Sequence, residues 1–227
     1  MKTCNLDKIE KYMLANMPSS DPVHGPEHIY RVLTNAWDIA AHCEQAFDQN
    51  ILVAACLLHD IGRIEHERRP QFSHAQLGSW KVFSFLGSIG WEEKDAQAVA
   101  DAILTHSQHE EHQAVSIEAQ LLFDADKLDT MGFIGIARLL MHTGEQGTPL
   151  YQFDDNGQLF LNKNQEASSF LQDYQSAEET AKNLYTAYAR RLASEKFSNT
   201  RRIYEGLVRD ITCYHEHLQT IRTSLFN

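Results

Sequence analysis

The run "ILVAACLLHDIG", Ile51 to Gly62, sets eight apolar residues directly before His59 and Asp60. An apolar run of this length reads as buried, and burying an unpartnered charge costs several kcal/mol. Two further apolar segments carry the same residue types. His28 stands one step before Ile29 in "EHIYRVL". Asp124 and Asp126 interrupt "LLFDADKLDTMG", where Leu121, Leu122, Phe123 and Leu128 mark a buried segment. Imidazole and carboxylate together are ligands for a divalent ion such as Mn, Fe, Ni, Co or Zn. An ion would supply the positive charge that Asp60 and Asp126 need, and an acceptor for the lone pair of an unprotonated His59. A lone His in a helix is ordinarily a satisfied core or surface group. An Asp near a helix end is ordinarily a cap or a salt-bridge partner. A His-Asp pair closing an apolar helix is harder to account for in those terms.

The elements that position these residues are helical. Leu6, Ile9, Met13, Leu14 and Met17 share one side of a helix over 5–17. "PSSDPVHGPEH" breaks it, and Gly25-Pro26 opens a second helix through Cys43, since proline suits the first helical position. A third runs from about 48 to 61, with Gly62 as its C-terminal stop. "RIEHERRPQF" reads as a loop. Helices follow over 73–89, 91–107, 116–132 and 133–142. Residues 143–165 are rich in Gly, Pro, Asn and Asp and suggest a small hairpin at Asn156-Gly157. Two long polar helices, about 166–195 and 197–224, end the sequence. The expected fold is all-α, one domain over 1–227 with its motifs in about 20–135.

Composition narrows the function. The sequence has 227 residues, 43% of them hydrophobic, enough for one substantial core. The net charge of −11 argues against nucleic acid as partner, because phosphate backbones are held largely by Lys and Arg. Cys4, Cys43, Cys56 and Cys213 are scattered without Cys-x-x-Cys spacing and read as reduced thiols. The N-terminus lacks an apolar signal region, and no run approaches the ~18 apolar residues of a membrane span. The expectation is a cytoplasmic protein without membrane contact.

The order H…HD…D, with the dyad inside "LLHDIG" and the last Asp inside "ADKLD", resembles the HD superfamily of metal-dependent phosphohydrolases. "HGPEHIYRV" is similar to that family's first-histidine segment, "AACLLHDIG" to its dyad segment and "DADKLDTMGFIGIAR" to its closing segment. The resemblance implies a helical bundle in which His28, His59, Asp60 and Asp126 hold a divalent ion (Mn, Co, Ni, Fe, Zn or Mg). The tail "NLYTAYARRLASEKFSNTRRIYEGLVRDI" resembles a branch of small stand-alone bacterial HD hydrolases, some of which are nucleotide pyrophosphohydrolases. The chain is then expected to act alone or as an oligomer of itself.

The implied activity is hydrolysis of a phosphoester or phosphoanhydride of a small metabolite, with a nucleotide as the expected substrate. The alternative is a metal-bound domain that senses a nucleotide without turnover. A metal-activated water would be the nucleophile, oriented by Asp60. Charge on the phosphoryl oxygens needs cations, and Arg63, Arg68, Arg69 and Lys127 are the candidates, Arg63 and Lys127 foremost. His74 and His106 fall where many family members keep further histidines, for a second ion, the phosphate or the leaving group. His24, His66, His109 and His112 are weaker candidates. Glu65 and Glu67 follow the dyad where some relatives carry a catalytic acid. The absence of a Gly-Tyr-Pro string argues against the cyclic-dinucleotide branch, and the absence of a Glu-Asp pair after the dyad argues against alarmone hydrolysis. The residues leave open whether the product is pyrophosphate from a triphosphate or phosphate from a monophosphate.

Overall fold

A computed structural model describes residues 6–17, 21, 23–107, 113–154, 156–161 and 168–226. The fold is all-α: the described residues form ten helices, with a single isolated antiparallel bridge, Phe153 to Leu159, as the extended pairing. The chain divides into two compact units. One comprises Met1–Asp129 with Ala181–Leu192, the other Thr130–Thr180 with Ala193–Asn227. No described helix is long and apolar enough to cross a membrane. Cys43, Cys56 and Cys213 are free thiols, while Cys4 lies outside the described residues.

The first unit is built around α3, Gln49–Leu58. Leu52, Ala54, Ala55, Cys56, Leu57 and Leu58 are all buried. A helix apolar on nearly every side belongs at the centre of a bundle, and α3 packs on four others. These are α1 (Leu6–Asn16), α2 (Pro26–Ala41), α6 (Glu93–Leu104) and α7 (Ile117–Asp129). α2 begins as expected, with Gly25 at the N-cap and Pro26 in the first turn, and lies along α7. α5, His74–Ser88, pairs with α6. Its start is fixed by a capping box: Ser73 Oγ accepts from Gln76 N–H and Gln76 Oε1 from Ser73 N–H, both at 3.1 Å.

The segment after the dyad departs from expectation. Gly62 is not a left-handed helix stop; its φ of −81° and ψ of −8° are right-handed helical. It starts a short helix α4, Arg63–Arg68, in the span read as a loop. Glycine is needed there for space. A Cβ on Gly62 would sit 2.1 Å from the His74 carbonyl oxygen and 2.5 Å from the Gly78 nitrogen. The dyad turn therefore presses its backbone onto the first turns of α5, which brings Asp60 to His74.

The other departure lies at the C-terminus. The two final helices are α9, Phe170–Lys182, and α10, Ala187–Phe226, so the break falls at 183–186 rather than near 196. Asp124 creates it. Its carboxylate accepts from Tyr185 N–H at 2.7 Å, Thr186 N–H at 2.8 Å and Thr186 Oγ1–H at 2.7 Å. Thr186 Oγ1 in turn accepts from Ala189 N–H at 3.2 Å, capping α10. Burial raises the Asp124 pKa against those donors.

In the second unit, α8 (Gly132–Gln146) ends at Gly147, whose φ of +63° is the left-handed C-cap conformation. The hairpin expected at Asn156-Gly157 is present in minimal form around the Phe153–Leu159 bridge, with Gly157 at φ +74°. Tyr174 of α9 stacks on Tyr204 of α10 at 4.5 Å, and its hydroxyl meets Thr200 Oγ1 at 3.0 Å.

Gly62→Ala is expected to destabilise the protein by ~2–3 kcal/mol, since backbone must move to accept the methyl group. Gly87→Ala, in α5 with nothing within 4 Å of its Cβ, should be neutral or stabilise by up to ~1 kcal/mol. Urea denaturation of both variants checks the contrast.

Candidate metal centre

Three helices deliver the four expected ligands to one point in the first unit. His28 comes from the first turn of α2, His59 and Asp60 from the turn after α3, and Asp126 from α7. His28 Nε2 lies 3.3 Å from His59 Nε2, 3.4 Å from Asp126 Oδ1 and 3.7 Å from Asp60 Oδ2. His59 Nε2 lies 3.6 Å from Asp60 Oδ2 and 3.9 Å from Asp126 Oδ1. Ligands ~2.1 Å from a common ion stand roughly 3.0–3.4 Å apart, so this cage needs only a slight contraction to close on one.

The ring tautomers make the same point. His59 Nδ1 is 2.8 Å from the Cys56 carbonyl oxygen and His28 Nδ1 is 2.8 Å from Asp129 Oδ2. Both partners can only accept, so both Nδ1 atoms carry hydrogen and each neutral ring turns an Nε2 lone pair toward the other. Either an added proton or a cation must lie between them. The oxygens of Asp60 and Asp126 converge on the same place. Asp60 is 1% exposed, and neither of its oxygens accepts a hydrogen bond with acceptable geometry. The donor set, two imidazoles and two carboxylates, fits a divalent transition ion.

The other expected residues surround this cage. Asp60 Oδ1 faces His74 Nε2 and His106 Nε2, each at 3.7 Å. His74 opens α5 and His106 follows α6; their Nε2 atoms are 3.3 Å apart. His106 Nδ1 donates to the Ile103 carbonyl, so here one ring can donate to the other: His74 Nε2–H to the lone pair of His106. The rings of His74 and His106 thus need no cation between them, although Asp60 Oδ1 beside them accepts no hydrogen bond. Arg63 Nε is 2.7 Å from Asp60 Oδ2, and Lys127 Nζ donates to Asp126 Oδ2 at 2.7 Å.

Several weaker candidates turn elsewhere. Glu65 pairs with Lys81, and His66 Nδ1 donates to the Phe72 carbonyl. Glu67, Arg68 and Arg69 are exposed. His24 pairs with Asp21 at 2.9 Å, its ring 6.1 Å from that of His28. His109 and His112 lie outside the described residues. The pattern reading missed Asp129 and Arg31. Arg31 Nε and Nη2 bind the Asp129 carboxylate at 2.7 and 3.0 Å. The signal available was Asp129 three residues after Asp126, matched by Arg31 three residues after His28.

Electrostatics favour a cation. Burial pushes the His59 pKa down to about 4 against the pull of Asp60, and that of His74 down to about 2, with His106 adding to the effect. Burial alone would raise Asp60 and Asp126. Arg63 and His59 outweigh it at Asp60, and Lys127 and His28 at Asp126, so both stay well below the usual carboxylate range. At neutral pH the cage offers lone pairs from a neutral His59 and two charged carboxylates.

Residues 26–131, which contain all of these groups, match the HD domain family. The matched segment, 106 of the chain's 227 residues, is similar to the HD superfamily. The Bacillus subtilis protein YpgQ is 26% identical over 151 residues, 64% of this chain and 69% of that protein. The crystal structure of YpgQ in complex with ADP matches with a TM-score of 0.67 and 27% identity, covering 90% of this chain and 93% of that one. A structure from Lactobacillus plantarum matches with a TM-score of 0.74 and 22% identity, over 94% and 99% of the two chains. A predicted HD superfamily hydrolase from an uncultured Thermotogales bacterium gives a TM-score of 0.61 and 24% identity, over 90% and 92%.

The pKa shifts give the direction of the pH dependence of stability. His59 and His74 bind protons more weakly folded than unfolded, so the unfolded state takes up protons first as pH falls. Metal-free protein should lose stability between about pH 6.5 and 4 as His59 resists protonation, with further loss as Asp60 and Asp126 are protonated below their ordinary range. Urea midpoints measured from pH 8 to 4 should fall throughout that window, and His74→Gln should flatten the slope.

Proposed function

We propose that this protein is a divalent-metal-dependent phosphohydrolase acting on a nucleotide. The observation that carries the reading is the paired Nε2 lone pairs of His28 and His59, converging with oxygens of Asp60 and Asp126 in a buried cage. The nucleotide rests on the likeness of residues 26–131 to the HD domain family and on the ADP bound by YpgQ, a relative alike in fold over most of its length.

His28, His59, Asp60 and Asp126 are the ion's ligands in this reading. The bound ion lowers the pKa of a coordinated water toward neutrality and offsets charge on the phosphoryl group. Asp60 has a second task. Its Oδ1 points away from the cage toward His74 and His106 and can accept a proton of the attacking water, holding the oxygen for in-line approach. Arg63 and Lys127 each sit on one of the two carboxylates, at the side where phosphoryl oxygens must come. His74 and His106 contact the phosphoryl or leaving oxygen. His74 can turn its Nε2–H from His106 toward substrate, which frees the His106 lone pair to take a proton while Ile103 holds that ring's orientation.

The test is a product assay with Mn2+ across deoxynucleoside mono- and triphosphates, reading phosphate and pyrophosphate separately, alongside metal content by mass spectrometry. One ion per chain is expected. His59→Ala should lose both the ion and turnover. His106→Ala should keep the ion and lose about 10²-fold in kcat, the scale of a positioned acid–base group. Pyrophosphate release assigns the triphosphate reaction, and phosphate release assigns the monophosphate one. Metal-loaded protein that binds ADP and turns over none of these substrates would replace catalysis by sensing.

A further inference from the structure

We infer that Asp129 and Arg31 are positioning residues for the metal centre: Asp129 fixes the tautomer of His28 and is itself held in place by the Arg31 guanidinium. The inference deepens the metal-site reading above and rests on it. The geometry is a lock between two helices. α2 contributes His28 and Arg31, three residues apart and therefore on one face. α7 contributes Asp126 and Asp129 at the same spacing. His28 Nε2 faces Asp126 Oδ1 at 3.4 Å, while its Nδ1 donates to Asp129 Oδ2 at 2.8 Å. One rung below, Arg31 closes on Asp129 through Nε and Nη2.

The chemistry explains why these groups suit the position. Asp129 is 3% exposed, so its charge needs a partner, and the paired donors of a guanidinium match a carboxylate in geometry. His59 and His106 donate their Nδ1 hydrogens to main-chain carbonyls of their own helices, Cys56 and Ile103. His28 lies in the first turn of α2, where no preceding helical turn offers a carbonyl. Its orienting acceptor must come from another element, and α7 supplies it. A full negative charge behind the ring also makes Nε2 a stronger electron-pair donor than a neutral carbonyl would. The arrangement ties the depth and rotation of α2 against α7 to the geometry of the centre, since a shift of either helix breaks both rungs.

The experiment uses full-length protein carrying Asp129→Ala, Asp129→Asn or Arg31→Ala, read in two ways. The first is the His28 tautomer in metal-free protein, from long-range nitrogen-15 correlation spectra. The second is Mn2+ affinity by calorimetry. Asp129→Ala is expected to shift His28 toward the Nε2–H form and to weaken Mn2+ binding about 10–100-fold. Asp129→Asn keeps an acceptor oxygen without charge, and should keep the tautomer with a smaller loss of affinity. Arg31→Ala should resemble Asp129→Asn. A wild-type tautomer and wild-type affinity in Asp129→Ala would overturn the inference. Should Asp129→Ala fail to fold, wild-type affinity in both other variants would overturn it. A wild-type protein that takes up no Mn2+ would sink the metal reading, whereas the tautomer measurement, made without metal, tests the Asp129 role separately.

Discussion

The structure turns on a concentration of electron pairs in a dry interior. Two imidazole nitrogens and two carboxylates converge, flanked by Arg63 on Asp60 Oδ2 and by Lys127 on the far oxygen of Asp126. Repulsion between such groups is weakly screened away from water. Nothing in the packing of α3 against its four neighbours would tolerate it as an incidental feature. The surrounding helices hold the convergence in place, which fits the cage to a cation.

Rigidity comes from helix ends. His59 and His106 each follow the last turn of a helix, where main-chain carbonyls lack their usual N–H partners. Each ring folds back onto the carbonyl three residues before it. The same bond that caps the helix sets the tautomer and aims Nε2 outward. His28 and His74 begin helices instead, so they need help from elsewhere: Asp129 for His28, and the capping box at Ser73 with the close Gly62–Gly78 approach for His74. The division explains why glycine, capping residues and a buried ion pair cluster around a site whose ligands number only four.

Much of this was legible in the sequence because it is local. The apolar run before His59 and Asp60 shows that they close a buried helix, and Gly25-Pro26 places His28 in a first turn. Periodicity alone yields most of the bundle. What it misses depends on contacts between distant segments. Gly62 looks like a helix stop, but its role is set by the backbone of His74 and Gly78. The C-terminal break at 183–186 lacks Gly or Pro and is imposed by Asp124, some sixty positions earlier. Asp129 resembles an ordinary acid at a helix end until its distance to His28 is known. The motif order carried the site, and the second layer around it was hidden because its partners are about a hundred residues apart.

Charge accounts for the fit of an anionic substrate to an acidic chain. Arg63 is matched to Asp60, Lys127 to Asp126 and Arg31 to Asp129, so the described centre is close to neutral despite a net charge of −11 overall. A divalent ion held by these ligands would add two positive charges to a buried space and would loosen the hold of Asp60 and Asp126 on Arg63 and Lys127. Both side chains are only partly covered, at 27% and 15% exposure, and can turn toward an entering phosphate. In the proposed function, the attraction for a phosphoryl group would therefore be confined to the metal-loaded centre. Under the proposed function, a net charge of −11 outside the centre would leave a small phosphate compound a local well to enter.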